Sequence, residues 1–116
     1  MELVKKELVP GIQIVELAGS IHNGPECQRL DRTVDEHLQA NQMRVIFDMT
    51  HVTHIDSAVI GMIVKSHTRF KKSGGELRLV VVTGMVEKVL KLTQVHRVIP
   101  LYPSTAEAAT NFLPQK

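Results

Sequence analysis

The chain has 116 residues and 43% hydrophobic content, enough for one globular domain with one core and too little for two. Its 14 Lys and Arg against 12 acids leave a net charge of +2, which provides no long-range field to gather nucleic acid. A single cysteine, Cys27, rules out an internal disulfide and fits a reducing compartment.

The longest uninterrupted apolar run, AVIGMIV, is far short of the roughly 20 residues of a membrane-spanning helix. The first residues, MELVKKELVPGIQIVEL, scatter their charges and lack the compact apolar centre of a signal peptide. The expectation is a cytoplasmic protein with neither a membrane nor a nucleic-acid partner.

Leu3 to Val9 and Ile12 to Leu17 nearly alternate apolar and polar residues around Pro10-Gly11, which predicts a hairpin. Gly19 to Pro25 reads as a loop. Gly24-Pro25 marks a helix start, because proline is tolerated in the first turn. Leu30, Val34 and Leu38 at four-residue spacing predict an amphipathic helix over 26–40. Val45, Ile46 and Phe47 predict a short strand ending at Asp48, with Val52 and Ile55 partly buried beyond it.

From Ser57, a helix places Val59, Ile60, Met62, Ile63 and Phe70 on its inner side, with Lys65, Arg69 and Lys72 on another face. Ser73-Gly74-Gly75 stops it, since glycine accepts the left-handed conformation of a helix end. The run LRLVVV, Leu77 to Val82, predicts a strand buried on both faces toward its end. Met85, Val86, Val89 and Leu90 form another helical stripe, and Val98-Ile99 a short strand. A last helix over 104–112 would be capped by Ser104 or Thr105, with Glu107 as the capping-box acid for Ser104.

A hairpin followed by strand–helix alternation predicts an α/β fold: a mixed β-sheet with an N-terminal hairpin, flanked by about four helices. Right-handed crossovers bring strand ends and helix starts to a common edge, near which Asp48 and the Asp56-Ser57 turn are expected. In HIDSAVIGMIV an acid and a hydroxyl immediately precede an apolar helix. Asp56 or Ser57 serves there as an N-cap, and a serine at a helix start is also an exposed, modifiable hydroxyl.

The segment FDMTHVTHIDSAVIG resembles the strand–loop–helix signature of STAS domains, the bacterial anti-sigma factor antagonists, in which Asp-hydroxy-x-x-hydrophobic-Asp-Ser-Ser/Thr-Gly-Leu-Gly is typical. GGELRLVVV, the Met85 to Val95 segment and VIPLYPSTAEAAT are similar to the family's later strand, third helix and closing strand and helix. The resemblance therefore covers nearly the whole chain, taken as one domain over 1–116.

It implies partner switching. The unphosphorylated protein binds an anti-sigma factor that is also a serine kinase, phosphorylation breaks that complex, and a PP2C-type serine phosphatase restores it. Carried onto this chain, the phosphorylated residue is Ser57, Asp56 is its acidic neighbour, and Asp48 is a supporting acid near the site. The partner surface is expected at Asp56, Ser57, Ala58, Val59, Ile60 and Met62, with His22 and Asn23 from the facing loop, and with the exposed side of the Met85 to Leu92 helix as an addition.

Three residues depart from the family pattern. Ala58 stands where a second Ser or Thr is usual, Val59 where a glycine follows, and His22 where an acid is often found. Val59 and His22 favour the alternative of a non-phosphorylated scaffold or transporter-associated subunit. Exposed apolar residues on the hairpin leave a homodimer open.

Other chemistry has less support. His51 and His54 have ligand-like spacing, but no further Cys or His cluster completes a metal site. Asp48, His54 and Ser57 suggest a hydrolase triad, yet there is no Gly-x-Ser-x-Gly elbow. Gly74-Gly75 precedes a strand, the reverse of the order in a phosphate loop. The expectation is a protein that is not an enzyme and holds no cofactor or metal.

Overall fold

The computed structural model describes residues 1–112. Pro10 and Gly11 turn β1 (Glu2–Val9) into the antiparallel β2 (Ile12–Ile21), with Gly11 at φ 94, which an L side chain rarely adopts. β3 (Arg44–Ile55), β4 (Glu76–Val80) and β5 (Leu101–Tyr102) then add in parallel, giving a five-stranded sheet in the order β1-β2-β3-β4-β5. The crossovers are α1 (Pro25–Gln39), α2 (Ser57–Lys72) and α3 (Met85–Leu92), and α4 (Thr105–Ala109) follows β5.

Because the parallel strands add in one direction, crossovers of one hand put α1, α2 and α3 on the same face. There Val15, Leu17, Val45, Phe47, Leu77 and Leu79 meet Leu30 and Val34 of α1, Val59, Ile63 and Phe70 of α2, and Val86 and Leu90 of α3. Each fully buried side chain of this kind contributes about 1.5–3 kcal/mol relative to exposure. The opposite face carries a smaller cluster, Ile12, Ile14, Ile46 and Val80, covered by Ala108 of α4 and Phe112.

Five expectations are corrected. β2 runs on through Ile21, so the loop before α1 is confined to His22–Gly24. β3 does not end at Asp48 but continues to Ile55. Against β2 it carries an extra residue between Asp48 and His51 and another between Val52 and His54. The Asp48 carboxylate folds back on the Thr50 N–H (3.0 Å) and hydroxyl (2.6 Å), so Asp48 marks a bulge and not a strand end.

β4 stops at Val80 and leaves Val82 exposed. Val98-Ile99 is no strand: a 3₁₀ turn at Val95–Arg97 precedes it, Val98 is exposed, Ile99 plugs the core, and the strand comes two residues later. α4 ends at Ala109, short of the predicted Phe112, with Ser104 as its cap through the Glu107 N–H.

Candidate functional site

β2 and β3 extend side by side beyond the rest of the sheet, to Ile21 and Ile55, so their following loops emerge together. Asp56 leaves β3 in extended conformation (φ −105, ψ 177) and caps α2, its Oδ1 accepting the Val59 N–H at 3.0 Å. Its Oδ2 accepts the Asn23 N–H at 2.8 Å, and His22 Nδ1 lies 3.9 Å from that same oxygen. One carboxylate therefore fixes both the start of α2 and the loop before α1. The Asn23 and Val59 N–H groups, in that order, hold its pKa below the usual Asp value.

Ser57 is the first residue of α2 and is exposed. Among the described residues its hydroxyl makes no hydrogen bond, since Asp56 takes the capping role that the sequence left open between the two. The free N–H groups and positive dipole end of α2 surround that hydroxyl with groups suited to an anion.

The loop has a second support that the sequence did not reveal. Glu26 accepts the His22 N–H (3.2 Å) and the Met1 ammonium (2.9 Å), and its pKa is lowered, first by the ammonium. The only sequence signal was the four-residue spacing of His22 and Glu26. Cys27 of α1 brings its sulfur 4.0 Å from the Ala58 carbonyl oxygen. Burial, then the charges of Asp56 and Asp31, push that thiol above its ordinary pKa, which disfavours the reactive thiolate.

The expected contact residues divide. His22, Asn23 and Ser57 are exposed, and Asp56, Ala58 and Ile60 are half-buried beside them. Val59 and Met62 are a correction: they are 0% and 7% exposed and pack in the core, because the helical period turns both toward the sheet. Val59 therefore adds no bulk to the surface at the helix start.

Asp48 is a second correction. It lies eight residues before Asp56 on the same strand, roughly 20 Å away at about 3.3 Å per residue less the bulges, with its carboxylate committed to Thr50. This also separates Asp48 from His54 and leaves the triad geometry unformed. Among the described residues no group of three or more His, Cys, Asp or Glu is arranged to hold a metal, and no helix is long and apolar enough to cross a membrane. The basic face of α2 is partly spent within the chain: Arg69 pairs with Asp31 and Asp35 of α1, and Lys71 with Glu76.

Fold and site together define a class: a mixed-sheet α/β domain that presents an unengaged serine at the start of a helix capped by the preceding aspartate. The chain belongs to the STAS domain family, whose model matches residues 4–108. A Thermotoga maritima relative is 34% identical over 74 residues, which make up 64% of this chain and 66%, just under two thirds, of that protein. The anti-sigma F factor antagonist of Paenibacillus polymyxa is 24% identical over 102 residues, 86% of each chain.

Among solved structures, an anti-sigma factor antagonist from Mycobacterium paratuberculosis has the same fold, with TM-score 0.83 at 16% identity over 96% of this chain and 92% of that one. The anti-sigma factor antagonist SpoIIAA in its unphosphorylated form gives 0.69 at 13% identity, covering 93% of this chain and 94% of that one.

Proposed function

We propose that this protein is an anti-sigma factor antagonist that binds an anti-sigma factor serine kinase while Ser57 is free, and is switched off by phosphorylation of Ser57. A PP2C-type phosphatase would return it to the binding form, all within the cytoplasm. The observation that carries this reading is the Ser57 hydroxyl itself, exposed and unbonded among the described residues at the N-terminus of a helix that Asp56 already caps. Family membership and the antagonist relatives support it.

The physics accounts for a switch without unfolding. A phosphate adds about −1.5 to −2 charges and strong acceptor oxygens, which the helix N-terminus accommodates through its free N–H groups. A partner surface fitted to a neutral hydroxyl instead meets a desolvated dianion beside the ionised Asp56 carboxylate, so binding falls while the fold persists. Bacillus SpoIIAA in its phosphorylated form has the same fold, with a TM-score to this chain of 0.72 at 12% identity over 92% of this chain and 96% of that one.

The test is intact-mass analysis after incubation with ATP and each candidate anti-sigma kinase, with Ser57→Ala alongside. One phosphate that vanishes in the variant is expected. By calorimetry, Ser57→Asp should weaken the complex at least about tenfold and Ser57→Ala should preserve it. No phosphate from kinases active on other antagonists, together with equal affinity of Ser57→Asp and wild type, would replace this reading by the non-phosphorylated scaffold.

A further inference from the structure

Among the described residues β1 is an edge strand of eight residues that pairs only with β2, and all of it but Leu3 is exposed. Its free backbone edge is a template for another strand. Lysines usually guard such edges because a second copy would set them against each other. Here Lys5 and Lys6 each lie 2.9 Å from an acid of their own chain, Glu36 and Glu16, so they oppose a second copy only in a register that sets each lysine against its own copy.

We infer that β1 is a self-association surface, on which a second copy of this chain pairs antiparallel about a twofold axis through Val4 to continue the sheet. A twofold perpendicular to the sheet leaves every side chain on its own face, so facing residues must have numbers of the same parity, and few registers qualify. Centred on Lys5 or Lys6, the pairing sets two identical lysines against each other, and the Lys6 register also runs into the bulge beyond Glu7. Centred on Leu3, the ladder within β1 shrinks to 2–4.

Centred on Val4, Glu2 faces the partner subunit's Lys6 and Lys6 faces the partner subunit's Glu2. Val4, 48% exposed, meets its own copy at the centre, and the stem of Lys5 lies against the partner subunit's Leu3. The sequence ELVKK is thus self-complementary in this register, whereas the next one toward Lys5 sets lysine against lysine and the next one toward Leu3 keeps only a shorter ladder. Glu16, already beside Lys6, completes an acid–base–acid row across the axis on the face opposite α1 to α3. A five-residue ladder buries little area, so the dimer is weak and concentration-dependent. The surface is separate from Ser57 and does not depend on the partner-switching reading.

The test is sedimentation equilibrium of the full chain from about 10 μM to about 1 mM at low salt, with circular dichroism to confirm each variant's fold. The wild-type average mass should rise toward twice the monomer value. Glu2→Lys or Lys6→Glu alone turns two attractive pairs into two repulsive ones and should weaken association about tenfold, while the double swap should restore most of it, short of wild type because Glu16 then has an acid beside it. Ser57→Asp should leave it unchanged. A monomer throughout the range, a dimer indifferent to both single swaps, or a double swap that fails to restore association would each overturn the inference.

Discussion

Of the two oxygens of the Asp56 carboxylate, Oδ1 closes the first turn of α2 and Oδ2 anchors the loop before α1. The two bonds make different demands on a replacement. Asn keeps one acceptor oxygen and must surrender one of the two bonds, whereas Ala surrenders both. Amide exchange at Asn23 and Val59 should therefore accelerate in the order wild type, Asp56→Asn, Asp56→Ala, by roughly tenfold at both sites in the alanine variant. Exchange that speeds up at Val59 alone would show that Glu26 suffices to hold the loop. Because Ser57 takes no part in the cap, Ser57→Ala should leave both rates unchanged, and this separates the modifiable residue from the structural one.

The shortest helix depends on a residue outside it. α4 has five residues, too few to persist without packing, and its terminal carbonyls at Ala108 and Thr110 accept Arg78 Nη1 at 2.9 and 2.8 Å. The same guanidinium donates to Glu76 at 2.7 Å and stacks 4.2 Å from the Phe112 ring centre. Arg78→Ala should cost about 3 kcal/mol in urea unfolding, since it strands the two carbonyls and leaves Glu76 with Lys71 alone, and Arg78→Lys should recover less than half because an ammonium cannot form the fork. Tyr102, the single tyrosine of a chain without tryptophan, packs beside α4 and reports its docking by fluorescence. None of this was legible in the sequence, where Arg78 looked like one polar residue within a strand. The hairpin, α1 and α2 were legible because their hydrophobic periods coincide with turn chemistry at Pro10-Gly11, Gly24-Pro25 and Ser73-Gly74-Gly75. β3 was cut short because two bulges throw its period-two alternation out of step after Asp48. Val98-Ile99 passed for a strand because β-branched residues mark burial as well as pairing, and Ile99 is buried as a loop plug. At the site, the Asp56-Ser57 cap could be read locally, but its link to Asn23 spans 33 residues and needs the parallel β2–β3 pair to exist.

Stability of the whole molecule should depend on pH through two imidazoles buried far from Ser57. His37 is 4% exposed, with Nδ1 2.9 Å from Gln42 Oε1 and no partner for Nε2 among the described residues; His67 is 5% exposed with Nδ1 likewise unpartnered. Burial is the main cause that lowers both pKa values. At His37 the Gln42 bond opposes burial, Lys5 adds to it and Glu36 opposes it, in that order of size; at His67 Lys71 adds to burial, against Glu76 and the Leu77 backbone. The unfolded chain then binds more protons than the folded one below the ordinary histidine pKa of about 6.5. Stability is accordingly full above about pH 6.5 and falls as pH drops toward the folded values, with a limiting slope of about 1.4 kcal/mol per pH unit for each histidine. The lowered Asp56, Glu26 and Glu36 carboxylates keep their contribution through that window and lose it only below the usual acid range, near pH 4. Urea midpoints measured from pH 7.5 to 5 should decline in the wild type and flatten in the double variant His37→Gln/His67→Gln. A wild-type midpoint that stays level between pH 6.5 and 5 would mean that both imidazoles protonate inside the folded protein, which requires water or a carboxylate to reach Nε2 of His37 and Nδ1 of His67.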